Sequence, residues 1–213
     1  MRHDDMPAVI VEVIPIPERT PRERIVYATA QSIRERGVTD TAMRDVVARA
    51  AAPRGSLQHY FPGGKEQLVT EALLWSADFA ATSVATAFGS MSAPTPGGLF
   101  AVIAQQWREH FLRRGYQRGC PLVAATADVA GPDPGLCATI NTGFGRWLTA
   151  VRDALRRMGV PASRAQPLAI VMISSLEGAI ILARARQDVT PLTDVARELR
   201  PLLDAAATGG ADR

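Results

Sequence analysis

The side chains best suited to chemistry in this chain lie between Thr41 and Lys65. Arg54, Ser56, Gln58, His59 and Tyr60 fall within seven consecutive positions, with Thr41 and Arg44 upstream and Lys65 downstream. Each of the eight ends in a hydrogen-bond donor. Arg and Lys reach phosphate oxygens, Arg, Gln, Ser and His can also address base edges, and Tyr can donate to a phosphate or touch a thymine methyl. Gly55 removes a side chain where a helix would lie close to a duplex. Lys65, the one lysine in the sequence, precedes a long helical pattern, and the free N–H groups of a helix start favour a phosphate.

The elements that must carry these groups are helical. From Pro21, the residues Ile25, Ala28, Thr29, Ser32 and Ile33 share one face, and Gly37 stops the helix. Thr41 stands as an N-cap before Met43, Val46, Val47 and Ala50. A short helix starting at Pro53 or Arg54 runs through Tyr60, with Leu57 facing inward, and ends at Phe61-Pro-Gly-Gly64. Three short helices joined this way make a tri-helical unit whose last helix can enter a major groove while the one before it braces the backbone.

Beyond Lys65 the pattern stays helical. A long helix carries Leu68, Ala72, Trp75 and Phe79, and Met91–Gly98 reads as a loop. Further helices are expected at about Leu99–Arg114, after Cys120-Pro121, and at Gly135–Met158, Ser163–Gln187 and Leu192–Ala207. No period-2 strand pattern follows residue 20, so the fold class is all-α: an N-terminal helix-turn-helix domain, then a larger helical bundle. The expected division is a flexible arm over 1–20, a helix-turn-helix unit over 21–66 and a second domain over 67–213. The arm holds a Val/Ile stretch broken by Pro15 and Pro17 that could pack on a partner.

Charge and composition agree with this division. The net charge is +3 and the isoelectric point about 9.3. Residues 22–65 carry eight Arg or Lys against four Asp or Glu, so this segment alone exceeds the charge of the whole chain. Cys120 and Cys137 lie in unrelated surroundings and suggest free thiols, and neither a metal site nor a cofactor motif is visible. No leader pattern stands out. The longest apolar run, Leu168–Ala183, falls short of the roughly 20 residues of a membrane span. A cytoplasmic protein without membrane contact is expected.

The stretch from Arg24-Ile25 to Gly37, then Thr41–Ala50, Arg54-Gly-Ser-Leu57, His59-Tyr-Phe61 and Lys65-Glu-Gln-Leu68, resembles the N-terminal domain of the TetR family of transcriptional repressors. Pro53–Leu57, His59–Lys65, Gly119-Cys-Pro121 and Leu176-Glu-Gly-Ala179 are similar to the LmrA/YxaF-like branch. The sequence departs from the family at four positions. Gln58 stands where a tyrosine is usual, Val38 replaces an aromatic, Ala51 replaces the turn glycine, and Pro53 replaces the serine N-cap. The resemblance implies a homodimeric repressor that binds double-stranded DNA at a palindromic operator and leaves it when a small-molecule effector binds the second domain.

The residues of that second domain fit the implication. Trp107, Phe111, Phe144, Trp147 and Met172 come from separate helical segments and could surround an apolar effector, or simply fill the core. Glu177 interrupts the apolar run and needs a partner, either an arginine such as Arg184 or a polar ligand. The same run is apolar nearly all round, so it must bury more than one face. With Gly178 and Ala179 allowing close approach, a two-fold dimer through the last two long helices follows. No paired acid and base or activated nucleophile is present, so no enzymatic activity is expected. The alternative reading is a helical dimeric interaction module that does not bind DNA.

Overall fold

The computed structural model describes residues 19–53, 55–128 and 133–208. The expected arm therefore lies almost wholly outside the described residues, and so does Arg54. Nine helices and no strand occur among the described residues. They are α1 (Pro21–Arg36), α2 (Met43–Arg49), α3 (Ser56–Tyr60), α4 (Gly64–Gly89), α5 (Pro96–Arg114), α6 (Pro121–Asp128), α7 (Pro134–Arg157), α8 (Ala162–Arg186) and α9 (Thr190–Thr208).

The starts of the helices have local causes. Thr20 caps α1 through its side chain, Glu23 reaches back to the Thr20 N–H, and Pro21 occupies the first turn. Thr95 and Asp133 cap α5 and α7 in the same manner, each followed by a proline. Gly37 ends α1 at φ +82°, a conformation an L side chain adopts poorly, and the Asp128 carboxylate fills the space where a Cβ would stand.

Three boundaries differ from the sequence reading. Thr41 is not the N-cap of α2, because the helix begins at Met43 behind Ala42. The recognition segment is shorter than expected, since α3 begins at Ser56 rather than at Pro53 or Arg54. The expected loop Met91–Gly98 ends early: Pro96, Gly97 and Gly98 form the buried first turn of α5. The glycines are tertiary requirements here. A Cβ on Gly97 would lie 2.7 Å from the Arg200 side chain, and the Gly97 N–H donates to the Asp204 carboxylate of α9 at 2.7 Å.

One continuous apolar core unites the chain. It runs from Ile25, Ile33 and Val46 through Phe61 and Leu68 to Phe111, Trp147, Leu155, Met172 and Ile180. Helix α4 crosses the expected boundary near residue 66 without a break, packing on α1 at one end and along α7 over much of its length. Helices α5, α8 and α9 form the rest of the bundle. By length and composition α8 could cross a membrane, so the apolar run is not too short for one once the whole helix is counted. Half of its most apolar window is buried against other helices. The remainder includes Ile170, Val171, Ile181 and Leu182, which are 39–49% exposed on one side.

Candidate nucleic-acid interface and sensor interior

Helix α3 stands on the surface of the tri-helical unit. Leu57 is partly buried and packs on the core, as its inward register requires, while Gln58 and His59 are exposed. The space around Gly55 is open, with nothing within 4 Å of a Cβ placed there. His59 and Tyr60 meet edge to face at 4.7 Å, and Tyr60 meets Phe61 at 6.5 Å, so Tyr60 is half-buried against the core with one edge outward. Ser56 is half-buried at the helix start.

The flanking residues divide. Arg44 is 95% exposed and makes only a 3.7 Å ion pair with Asp45, so it is available to a phosphate. Lys65 donates to the Thr39 carbonyl at 3.1 Å, which holds the α1–α2 turn against the start of α4. Thr41 is a correction. Its side chain is 1% exposed and its hydroxyl donates to the Gly37 carbonyl, so it cannot meet DNA without breaking the turn. Arg54 lies outside the described residues. Arg24 donates to the Ala51 carbonyl at 3.4 Å across the helix-turn-helix corner. Ala51 itself sits at φ +47°, the left-handed region where glycine is at ease.

The interior shows a second group of polar residues. Arg34 is partly buried, and all three of its guanidinium nitrogens donate. It donates from Nε to the Gly119 carbonyl at 2.8 Å, from Nη1 to Gln31 at 3.3 Å and from Nη2 to His110 Nε2 at 3.3 Å. Its guanidinium also faces Trp107 at 5.5 Å. Burial, then the nearby Arg34 and Arg118 charges, push His110 down to about 4, so its ring is neutral and Nε2 accepts.

Glu177 lies on the inward face of α8 and is 6% exposed. Its expected pairing with Arg184 does not occur. Arg184 donates to the carbonyls of Tyr116 and Gln117 instead, at 3.1 and 3.0 Å. Among the described residues no nitrogen or hydroxyl donates to either Glu177 oxygen, and the buried Cys120 thiol supplies only a weak hydrogen bond to the carboxylate. Its closest electrostatic neighbours are the buried Cys120 thiol, a weak donor, and Arg34. Burial raises the Glu177 carboxyl to about 7. It also pushes the Cys120 thiol well up, and the Glu177 charge adds to that effect.

The other expected effector residues are spread through the core. Trp107 and Phe111 lie 5.7 Å apart, and Phe111 stacks on Tyr116 at 5.1 Å. Trp147 and Met172 are buried, and Phe144 is half-buried against the same core. A small surface cleft between α5 and α9 holds about 180 Å³ and is lined by Ala101, Ala104, Gln105, Arg108, Leu192, Thr193 and Ala196. None of the six residues singled out from the sequence lines it.

Comparison with known proteins places this arrangement. Residues 25–72 match the model of bacterial regulatory proteins of the tetR family, and residues 96–198 match the C-terminal domain of LmrA/YxaF-like transcriptional regulators. An uncharacterised HTH-type transcriptional regulator of Mycobacterium tuberculosis H37Rv is 38% identical over 189 residues, covering 86% of this chain and 94% of that protein. This chain belongs to the TetR family. It is a transcriptional regulator with a helix-turn-helix DNA-binding domain, and not an enzyme. The HTH-type transcriptional regulator LmrA of Bacillus subtilis is 25% identical over 182 residues, covering 85% of this chain and 96% of LmrA. A TetR regulator from Legionella pneumophila shares the fold at a TM-score of 0.72 and 19% identity, over 87% of this chain and 98% of that one. One from Chloroflexus aurantiacus does so at 0.64 and 25%, over 85% and 92%.

Proposed function

We propose that this TetR-family protein is a homodimeric repressor, acting in the cytoplasm, that leaves a palindromic operator when a small, largely apolar effector binds residues 67–213. Residues 21–66 read the DNA. Gln58 and His59 address base edges, with Arg54 and Ser56 beside them, while Arg44, Tyr60 and Lys65 meet the phosphates. The observation that carries the reading is the exposure of Gln58 and His59 on a short helix whose other face, through Leu57, is locked into the core. Thr41 contributes by fixing the turn, not by touching DNA.

Dimerisation is supported by the outer side of α8. Ile170, Val171, Ile181 and Leu182 form one exposed apolar stripe, and Leu202 of α9 is 51% exposed. Gly178 has open space around it on that helix, which lets a second helix approach. Ala179 is buried in the chain's own core and takes no part. Two copies joined there would present two α3 helices, and an operator is met when their spacing is about 34–36 Å or a multiple of it. An effector that favours another spacing lowers DNA affinity by its differential affinity for the two states.

Fluorescence anisotropy with DNA from upstream of the protein's own and adjacent genes tests this. Saturable binding, one dimer per site and a steep loss of affinity with salt are expected. Absence of binding to any of these DNAs, with a dimer present, would support the interaction-module reading instead.

A further inference from the structure

Two buried polar groups beyond residue 66 are poorly satisfied, one an acceptor and one a donor. On α8, the Glu177 carboxylate is more than nine-tenths buried and meets only the weak Cys120 thiol donor. On α5, the Gln106 amide nitrogen Nε2 is buried without an acceptor. Gln106 lies one turn before His110 on the same side of α5. His110 holds Arg34, and Arg34 acts electrostatically on Glu177. Neither nearby arginine hydrogen-bonds Glu177. Arg34 serves Gly119, Gln31 and His110, and Arg184 serves Tyr116 and Gln117. A buried polar group left unsatisfied is costly, so native proteins keep few of them.

We propose that Glu177 is the polar anchor of the effector site, and that the effector is a neutral, largely apolar molecule whose hydroxyl donates to the Glu177 carboxylate. Gln106 offers its N–H to an acceptor on the same molecule. This rests on the ligand-released repressor reading given above. Neutrality follows from the surroundings. The cations Arg34, Arg118, Arg113 and Arg114 outnumber the carboxylates Glu177, Glu35 and Glu109 around Glu177 and His110. A further cation would meet net positive charge. An apolar body is favoured by the nearby aromatic side chains Trp107, Phe111 and Tyr116.

The test uses the full chain and three matched probes: 2-naphthol, 2-methoxynaphthalene, which lacks the donor, and protonated 2-naphthylmethylamine. Binding is read by calorimetry and by the shift in melting temperature. At pH 8, where the Glu177 carboxyl is ionised, a hydrogen bond to a charged acceptor predicts that 2-naphthol binds roughly tenfold or more tighter than its methyl ether. The amine should bind more weakly than 2-naphthol. In Glu177→Leu the preference for 2-naphthol over the ether should vanish, while the protein melts at a higher temperature because an unpaired carboxylate is gone. Glu177→Gln, which keeps the shape, should give an intermediate preference. Equal binding of naphthol and ether, no binding of any probe, preference for the amine, or a preference that survives in Glu177→Leu each overturns the proposal. Operator binding is measured separately on the same samples. Its loss without loss of the naphthol preference would sink the repressor reading alone, and the reverse result would sink only this assignment.

Discussion

At the scale of single residues, Glu177 and His110 make stability depend on pH in opposite directions. Burial raises the Glu177 carboxyl from 4.5 to about 7, so the folded chain holds that proton more tightly and stability falls as pH climbs through this window. His110 is lowered from 6.5 to about 4, so the folded chain resists its proton and stability falls as pH drops through that window. Each therefore masks part of the other. Replacing Glu177 by Gln should raise unfolding free energy by about 3 kcal/mol more at pH 8 than at pH 4, as read by urea denaturation. It should also expose the acid-side loss due to His110. Ala51 gives a second residue-scale prediction. At φ +47° an alanine is strained by roughly 1–2 kcal/mol, and glycine's extra unfolded-state freedom takes back part of that. Ala51→Gly should stabilise the chain by about 0.5–1 kcal/mol, and a loss of stability would show the turn is not strained. For DNA binding, Arg44→Ala should flatten the plot of log affinity against log salt by about 0.9 while leaving the melting temperature unchanged.

At the scale of elements, the end of α1 is gripped by the segment between α5 and α6. Arg118 and Arg49 both donate to Glu35, at 2.8 and 2.6 Å, so one carboxylate joins α1, α2 and that segment. Arg34 and Gly119 bond reciprocally, the Gly119 N–H donating to the Arg34 carbonyl at 3.2 Å. The Asp128 carboxylate at the end of α6 accepts from the Thr39 N–H at 2.9 Å. The bundle thus holds α1 and α2 through polar contacts as well as through continuous α4. Burial pushes the Glu35 carboxyl up, but hydrogen bonds from Arg49 and Arg118 outweigh this and keep it below the ordinary range. Its contribution is present above the ordinary carboxylate range and is lost as pH falls below it. Glu35→Gln should cost about 1–2 kcal/mol at neutral pH, because both arginines lose a charged acceptor that is only partly screened by solvent. The same variant should weaken the effect of bound effector on operator affinity, measured as the ratio of affinities with and without it. An unchanged ratio would leave α4 as the sole route.

At the scale of the whole molecule, the proposed dimer rests on the outer stripe of α8. Ile170, Val171, Ile181 and Leu182 lie on one side of one helix, and isolated chains rarely leave such a row uncovered. Ile181→Glu places a charge in the C-terminal half of the stripe. Sedimentation should then show a monomer at concentrations where the parent is a dimer. Operator affinity should fall at least roughly 100-fold, because the two half-sites no longer bind as a unit. A dimer that survives this change would place the interface elsewhere.

What the sequence alone determined is what local rules govern. The helix count and the stop at Gly37 follow from propensity and hydrophobic period. The exposed chemistry of α3 follows from helical register, because Leu57 turns inward and so aims Gln58 and His59 outward. Contacts between distant segments were not legible. Thr41 reads as a cap because its type suits one, yet Gly37 claims its hydroxyl. Pro96-Gly-Gly98 reads as a loop, yet α9 packs so near that only glycine fits there. Glu177 reads as paired with an arginine such as Arg184 or with a polar ligand. In the folded chain Arg184 goes to two backbone carbonyls and Glu177 keeps only the weak Cys120 donor, since which donors reach which acceptors is set by segments distant in sequence.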